Sequence, residues 1–186
     1  MIWVSGQGRG AEGARAGQTG ETKVLSGKLG LFDCIEAPCV DRCAVNQKVP
    51  QYMHAVREGD FEEALHLTRA DNPVASILGR VCDHLCETTC IRTHLDEPLA
   101  IRDIKRFIMD REAGPALEPP VKSDALKVAI IGAGPGGMAA ASELAKAGCR
   151  VEIFEMHAYA GGMVGGAIPE FRLPRAVFQR DLERLI

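Results

Sequence analysis

Long apolar runs are missing from this sequence. No stretch approaches the roughly 20 residues that cross a bilayer, so no membrane span is expected. Aromatic residues are scarce: one Trp, two Tyr and six Phe among 186 positions. No basic stripe offsets that scarcity, and the net charge is −3. Without base-stacking rings or a cationic face, a nucleic-acid role has no support. The opening stretch MIWVSGQGRGAEGARAGQTGETK lacks the continuous apolar core of an export signal. The expected compartment is the cytoplasm, where thiols stay reduced and bind metals more often than they form disulfides.

What is present is an apolar content of 46% and seven cysteines. Residues 1–28 are Gly-rich with no apolar period and read as a disordered leader. Residues 29–113 read as a helical domain. In VPQYMHAVREG and DFEEALHLTRA, Tyr52 and Val56, then Phe61, Ala64 and Leu65, recur at helical spacing. Gly59 separates the two segments, and Asp60 is a plausible N-cap with Glu63 at the capping-box position. LAIRDIKRFIMDRE places Ile101, Ile104 and Ile108 on one helical face. Three prolines in AGPALEPPVKSDA then mark a linker over 114–125.

From 126 to 186 the texture changes. LKVAIIGAG reads as a buried parallel strand, PGGMAAASELAKAG as a helix closed by Gly148, and CRVEIFEM as a second strand. Together they form a βαβ unit. The fold class is an α-helical domain followed by the start of an α/β Rossmann-like domain, expected to be incomplete at residue 186.

GAGPGG sits between the first strand and its helix, with Gly132, Gly134 and Gly137 in G-x-G-x-x-G register. Gly132 permits the tight turn, Gly134 lets a pyrophosphate approach, and Gly137 lets helix and strand pack closely. Pro135 and Gly136 complete the loop, and the helix N-terminus turns free N–H groups toward phosphate. Glu155 ends the second strand, where its carboxylate is expected to accept hydrogen bonds from an adenosine ribose and to disfavour NADP. The following Gly161, Gly162 and Met163 offer a second stretch of backbone to the dinucleotide, which favours FAD.

Six cysteines fall in two groups, Cys34, Cys39 and Cys43 in CIEAPCVDRC, and Cys82, Cys86 and Cys90 in CDHLCETTC. On a helix the second spacing would turn all three thiols toward one side. Paired C-x2-4-C zinc ligation fits triplets poorly, and the bacterial ferredoxin run is absent. Clustered soft thiolates leave iron–sulfur clusters and zinc both open. Beside a flavin fold, iron–sulfur chemistry has the clearer purpose. Cys149 reads as packing, and none of the five histidines is assigned as a ligand.

The ordered motifs DCIEAPCVDRCAVNQKVPQYM, NPVASILGRVCDHLCETTC, EPLAIRDIKRF, KVAIIGAGPGGMAAASELAKAGCRVEIFE and GGMVGGAIPEFRLP resemble the glutamate synthase small-subunit type of FAD and iron–sulfur oxidoreductase. That group includes the N-terminal region of dihydropyrimidine dehydrogenase. CDHLCETTCIRTHLDEPLAIRDIKR is most similar to the putative selenate reductase iron–sulfur subunit within it. The resemblance covers about residues 30 to 186. It implies two [4Fe–4S] clusters in 29–113, FAD in 126–186, and NAD(P)H through a domain absent from this chain. Cys34, Cys39 and Cys90 would serve one cluster, and Cys43, Cys82 and Cys86 the other.

Two positions depart from the family pattern. Leu31 stands where a further cysteine is usual, and Lys105 where a Glu or Gln often ligates; a protonated lysine cannot. Asp33 and Asp103 are nearby candidates for the fourth ligands. The expected function is an electron-transfer fragment of an NAD(P)H-dependent oxidoreductase, inactive alone, that exchanges electrons with a partner subunit or domain. The alternatives are glutamate synthase small subunit proper, and a zinc-binding interaction module fused to a nucleotide-binding fold. No catalytic acid, base or nucleophile is assigned.

Overall fold

The computed structural model describes residues 2–6, 36–113 and 126–185. The proposed linker 114–125, most of the proposed leader, and Leu31, Asp33 and Cys34 lie outside the described residues.

Local signals set the helices of the first part. A short helix α1 (Pro38–Asp41) leads into α2 (Val49–Glu58), which has proline in its first turn and ends on Gly59 at φ 79°. Asp60 then starts α3 (Phe61–Asp71), its Oδ1 accepting the Glu63 N–H at 3.0 Å. After α4 (Ala75–Val81) come α5 (Leu85–Thr88), a 3-10 turn (Ile91–His94) and α6 (Ile101–Asp110). The apolar stripe of α6 buries Ile101, Ile108 and Met109 against Tyr52, Ala55, Ala64 and Ala75. Each large apolar side chain so buried contributes about 1.5–3 kcal/mol. Buried Gln47 ties the segment after α1 to the end of α3, donating to the Thr68 carbonyl at 3.0 Å and accepting from Asn72 at 3.4 Å.

The second part is strand β2 (Lys127–Ile131), helix α7 (Pro135–Lys146) and strand β3 (Arg150–Glu155), followed by α8 (Gly162–Gly166) and α9 (Arg175–Leu185). The strands run parallel, with Val128 beside Val151 and Ile130 beside Ile153. Those residues face α7, where Ala141 and Leu144 complete a small core and Cys149 packs against it. The opposite face is open among the described residues: Ile131 is 92% exposed. The apolar run of β2 had suggested a buried parallel strand, and among the described residues one of its faces is covered.

A third strand, β1 (Ile2–Gly6), pairs antiparallel with the other edge of β3, from Ile2 opposite Glu155 to Gly6 opposite Val151. These five residues had been read as disordered leader. Ile2, Trp3 and Val4 have strand propensity, and an open edge offers unpaired N–H and C=O groups to any such segment.

The two parts are joined by an apolar cluster, in which Ile77 packs with Leu173 and Val177, and by charge. Arg69, near the end of α3, makes a double contact with Glu112 at 2.6 and 3.0 Å, reaches Asp181 of α9 at 2.6 Å and donates to Ser76 Oγ and the Pro73 carbonyl. Asp181 is fully buried, and its second oxygen accepts the Ile77 N–H at 2.8 Å. Arg184 Nε stands 3.4 Å from Glu112. Burial opposes the Arg69 charge, but the Glu112 and Asp181 contacts outweigh it and strengthen its hold on the proton. Removing one member of such a buried set leaves the others uncompensated. Asp181→Ala is therefore expected to cost about 3–5 kcal/mol, read as a lower midpoint in urea unfolding.

Candidate functional site

The segment Cys82–Cys90 is not one helix. Cys82 is extended (φ −68°, ψ 150°), His84 is left-handed at φ 45°, α5 supplies one turn, and Cys90 is extended again. Asp83, His84, Thr88 and Thr89 are weak helix formers, and tertiary partners exploit that. Arg102 donates to Nδ1 of His84 at 2.9 Å, and Glu87 Oε1 accepts the Arg102 N–H at 2.9 Å in the first turn of α6. The expected single-sided row of thiols is thus replaced by a broken path that aims Cys82, Cys86 and Cys90 differently.

Those thiols meet the first triplet. Cys39 lies on α1 and Cys43 just after it, where its N–H donates to the Val40 carbonyl at 3.1 Å. Thr89 reaches the Pro38 carbonyl at 3.4 Å, tying the two cysteine segments together. Burial pushes the Cys39 thiol up; its own backbone amide opposes this, and Cys90 and then Cys43 add to the rise. Burial also pushes Cys86 up, to about 11, reinforced by Cys43 and Cys82 and opposed by Lys105. Cys39 thus senses Cys90 most strongly among the thiols, whereas Cys86 senses Cys43 and Cys82. The Tyr52 phenol, buried between the segments, is raised by burial and then by Cys86, Cys43, Cys39 and Cys82.

Gathering ionisable sulfurs in a half-buried place opposes their ionisation, because burial and neighbouring thiols both disfavour the bare thiolate. A metal cation reverses that logic by deprotonating the thiols it binds. The donor set therefore suits a soft, thiolate-bound group. Among the described residues no three His, Cys, Asp or Glu side chains form a ready chelate for one ion. Asp103, a candidate fourth ligand, lies on the solvent side of α6, 67% exposed and 3.8 Å from Arg102. Lys105 is on the buried side.

The glycine loop is a second site. Gly132 has φ 99°, and Gly134 and Pro135 open α7. A Cβ on Gly137 would stand 2.0 Å from the Gly132 carbonyl oxygen, so no side chain fits. The second glycine pair arrives beside the first: the Gly161 N–H donates to the Ala133 carbonyl at 2.7 Å. A Cβ on Gly162 (φ 51°) would come within 3.1 Å of Gly134 Cα. Gly136 faces open space, and Met163 is 75% exposed at the start of α8. Two bare backbone stretches thus lie side by side at the N-terminus of α7, a cradle fit for a dinucleotide phosphate.

Glu155 has a task that sequence reasoning missed. Its Oε2 accepts the Ala133 N–H at 2.8 Å, while Oε1 accepts the His157 N–H at 2.8 Å and pairs with His157 Nδ1 at 3.0 Å. It braces the loop whether or not it also meets a ribose. The His157 amide, the Ala133 amide and the His157 ring together hold its carboxyl down at about 2.

Comparison with known proteins bears on both parts of the chain. Residues 27–115 match the dihydropyrimidine dehydrogenase domain II, 4Fe-4S cluster, family, and residues 130–178 match the NAD(P)-binding Rossmann-like domain. The chain joins a 4Fe-4S domain of the dihydropyrimidine dehydrogenase type to a Rossmann-like NAD(P)-binding domain. It is 40% identical over 175 residues to the NADP(+)-dependent formate dehydrogenase subunit beta of Moorella thermoacetica, covering 81% of this chain and 25% of that protein. It is 41% identical over 159 residues to the NADPH-Fe(3+) oxidoreductase subunit beta of Geobacter sulfurreducens, covering 82% and 24%. The subunit PreT of the NAD-dependent dihydropyrimidine dehydrogenase of Escherichia coli is 33% identical over 156 residues, covering 82% and 38%. The chain thus spans about a quarter of the first two relatives and rather more of the third. All three are named as subunits of oxidoreductases. Among the described residues no helix is long and apolar enough to cross a membrane.

Two outcomes test the cradle. Gly137→Ala is expected to lose about 1–3 kcal/mol by overpacking, measured by thermal melting. Because the folded Glu155 carboxyl lies below its ordinary value of 4.5, its stabilising contribution is complete above that value and is lost as pH falls toward 2. The difference in melting temperature between the wild type and Glu155→Gln is therefore expected to shrink over that interval.

Proposed function

We propose that these residues are the electron-transfer portion of an NAD(P)H-dependent flavin and iron–sulfur oxidoreductase. Cys34, Cys39 and Cys90 hold one [4Fe–4S] cluster, and Cys43, Cys82 and Cys86 hold a second. Gly132, Gly134, Pro135, Gly136 and Gly137 receive the FAD pyrophosphate, with Gly161, Gly162 and Met163 on its other side. Glu155 holds the loop in shape and presents its remaining lone pairs to the ribose. When bound, the clusters carry single electrons and the flavin exchanges them for hydride pairs. A partner subunit in the cytoplasm receives or supplies the electrons, in keeping with relatives that are named as subunits.

The observation that carries this reading is the meeting of two distant cysteine segments, Cys43 with Cys82 and Cys86, and Cys39 with Cys90. A thiol placed only to fill a core needs no second thiol beside it. The chain's own work is to bring soft donors together, to keep them half-buried and to hold the glycine loop open.

The test is anaerobic purification and reconstitution of the full chain, followed by iron, acid-labile sulfide and zinc analysis. About eight irons and eight sulfides per chain are expected for two four-iron clusters. Cys86→Ala should lower both counts to about half and leave one cluster's electron paramagnetic resonance signal. Zinc without iron or sulfide would overturn the reading in favour of a zinc-binding module.

A further inference from the structure

The second glycine stretch cannot hold itself in place. GGMVGG carries Gly161, Gly162, Gly165 and Gly166, and glycine loses more conformational freedom on ordering than any other residue. Gly161 and Gly162 both lie at positive φ, 104° and 51°. One fastening is the Gly161 N–H, which donates to the Ala133 carbonyl at 2.7 Å. It ties the start of the stretch to the first glycine loop, but a bond at one end leaves the short turn α8 beyond it free to pivot. A second fastening comes from α9. The tip of the Phe178 ring fills the space that side chains at Gly161 and Gly165 would occupy. A Cβ on Gly161 would stand 2.6 Å from Cε2 of that ring and closer still to Cζ, and one on Gly165 would stand 2.9 Å from Cζ.

The ring is itself held from the helical part. Phe178 packs against Ile77, Leu173 and Val177, with Val164 and Ile168 in the same cluster. Farther along α9, Asp181 accepts the Ile77 N–H at 2.8 Å and meets Arg69. The line of contact therefore runs from α4 through α9 to the second glycine pair. It ends at the first loop, where a Cβ on Gly162 would come within 3.1 Å of Gly134 Cα. An aromatic placed only to fill the apolar cluster needs no glycines at its tip. Here two positions of the stretch lack side chains where the tip arrives. Backbone N–H groups that are to receive a pyrophosphate bind it best when ordered beforehand, since freedom lost on binding is subtracted from affinity.

We propose that Phe178 is a positioning residue of the dinucleotide cradle: its ring tip backs Gly161 and Gly165 and holds the second glycine stretch against the first. The proposal rests on the dinucleotide reading above and adds to it a residue outside both glycine stretches. Phe178 acts through the backbone it supports, not by touching the bound molecule. Its shape at Cζ is decisive. Leucine would keep the apolar cluster but lacks the ring tip. Tyrosine would put a hydroxyl on Cζ, the atom that faces Gly161 and Gly165, where the space is already taken.

Three full-length chains decide it: wild type, Phe178→Leu and Phe178→Tyr. Binding of FAD is measured by calorimetric titration, at a temperature at which circular dichroism shows each chain fully folded. Hydrogen exchange of the FAD-free chains is followed over residues 160–166 and over β3. Wild type is expected to bind FAD, and both variants to bind it about tenfold more weakly. Both should exchange faster than wild type over 160–166 and at the wild-type rate over β3. Wild-type affinity in either variant overturns the proposal and leaves the dinucleotide reading standing. So does exchange over 160–166 at the wild-type rate. Exchange that rises equally in β3, or a variant that does not fold, also overturns it, since the ring would then be supporting the whole second part. A wild-type chain that binds no FAD removes the dinucleotide reading itself and the proposal with it, a result the first titration reports before any variant is compared.

Discussion

One guanidinium holds the architecture together. Arg69 is the point at which α3, the start of α4, the end of α6 and α9 meet, and Asp181 fastens the far end of that contact to the backbone of Ile77. Beside it, Ile77 and Val81 of the helical part pack with Leu173, Val177 and Phe178 of the Rossmann-like part in an apolar cluster. With it, the thiol sets and the glycine cradle keep a fixed relation.

The two sites obey a common rule, although one is built of sulfur and the other of bare backbone. Each is arranged around something its own atoms oppose. Half-buried thiols raise one another's hold on protons, and the N–H groups opening α7 present positive dipole with no acid in the first turn of that helix. Nearby charged residues restrain each tendency. Lys105 works against the thiols, and Glu155 clamps the loop by accepting from Ala133 and His157.

Much of this was legible in the residues. The βαβ unit, the α6 stripe, the Asp60 cap and the Gly59 stop all depend on neighbours within a turn or two, and local chemistry decides them. The close packing at Gly137 follows from its position in the glycine register. The break inside CDHLCETTC was not legible, because its causes, Arg102 and Glu87, act across a tertiary gap. The bracing role of Glu155 was hidden for a similar reason: its partner Ala133 is 22 positions away. The Arg69 and Asp181 contact spans 112 positions and leaves no periodic trace.

The order of assembly follows from how the cysteines are divided. Neither thiol set is contiguous in the chain, since Cys43 meets Cys82 and Cys86 only after α2, α3 and α4 have folded between them. Closing so long a segment is an entropic cost that the helical core, built from Tyr52, Ala64, Ile101 and Ile108, must already have met. The thiol segments therefore lean on a core whose fully buried members are not thiols.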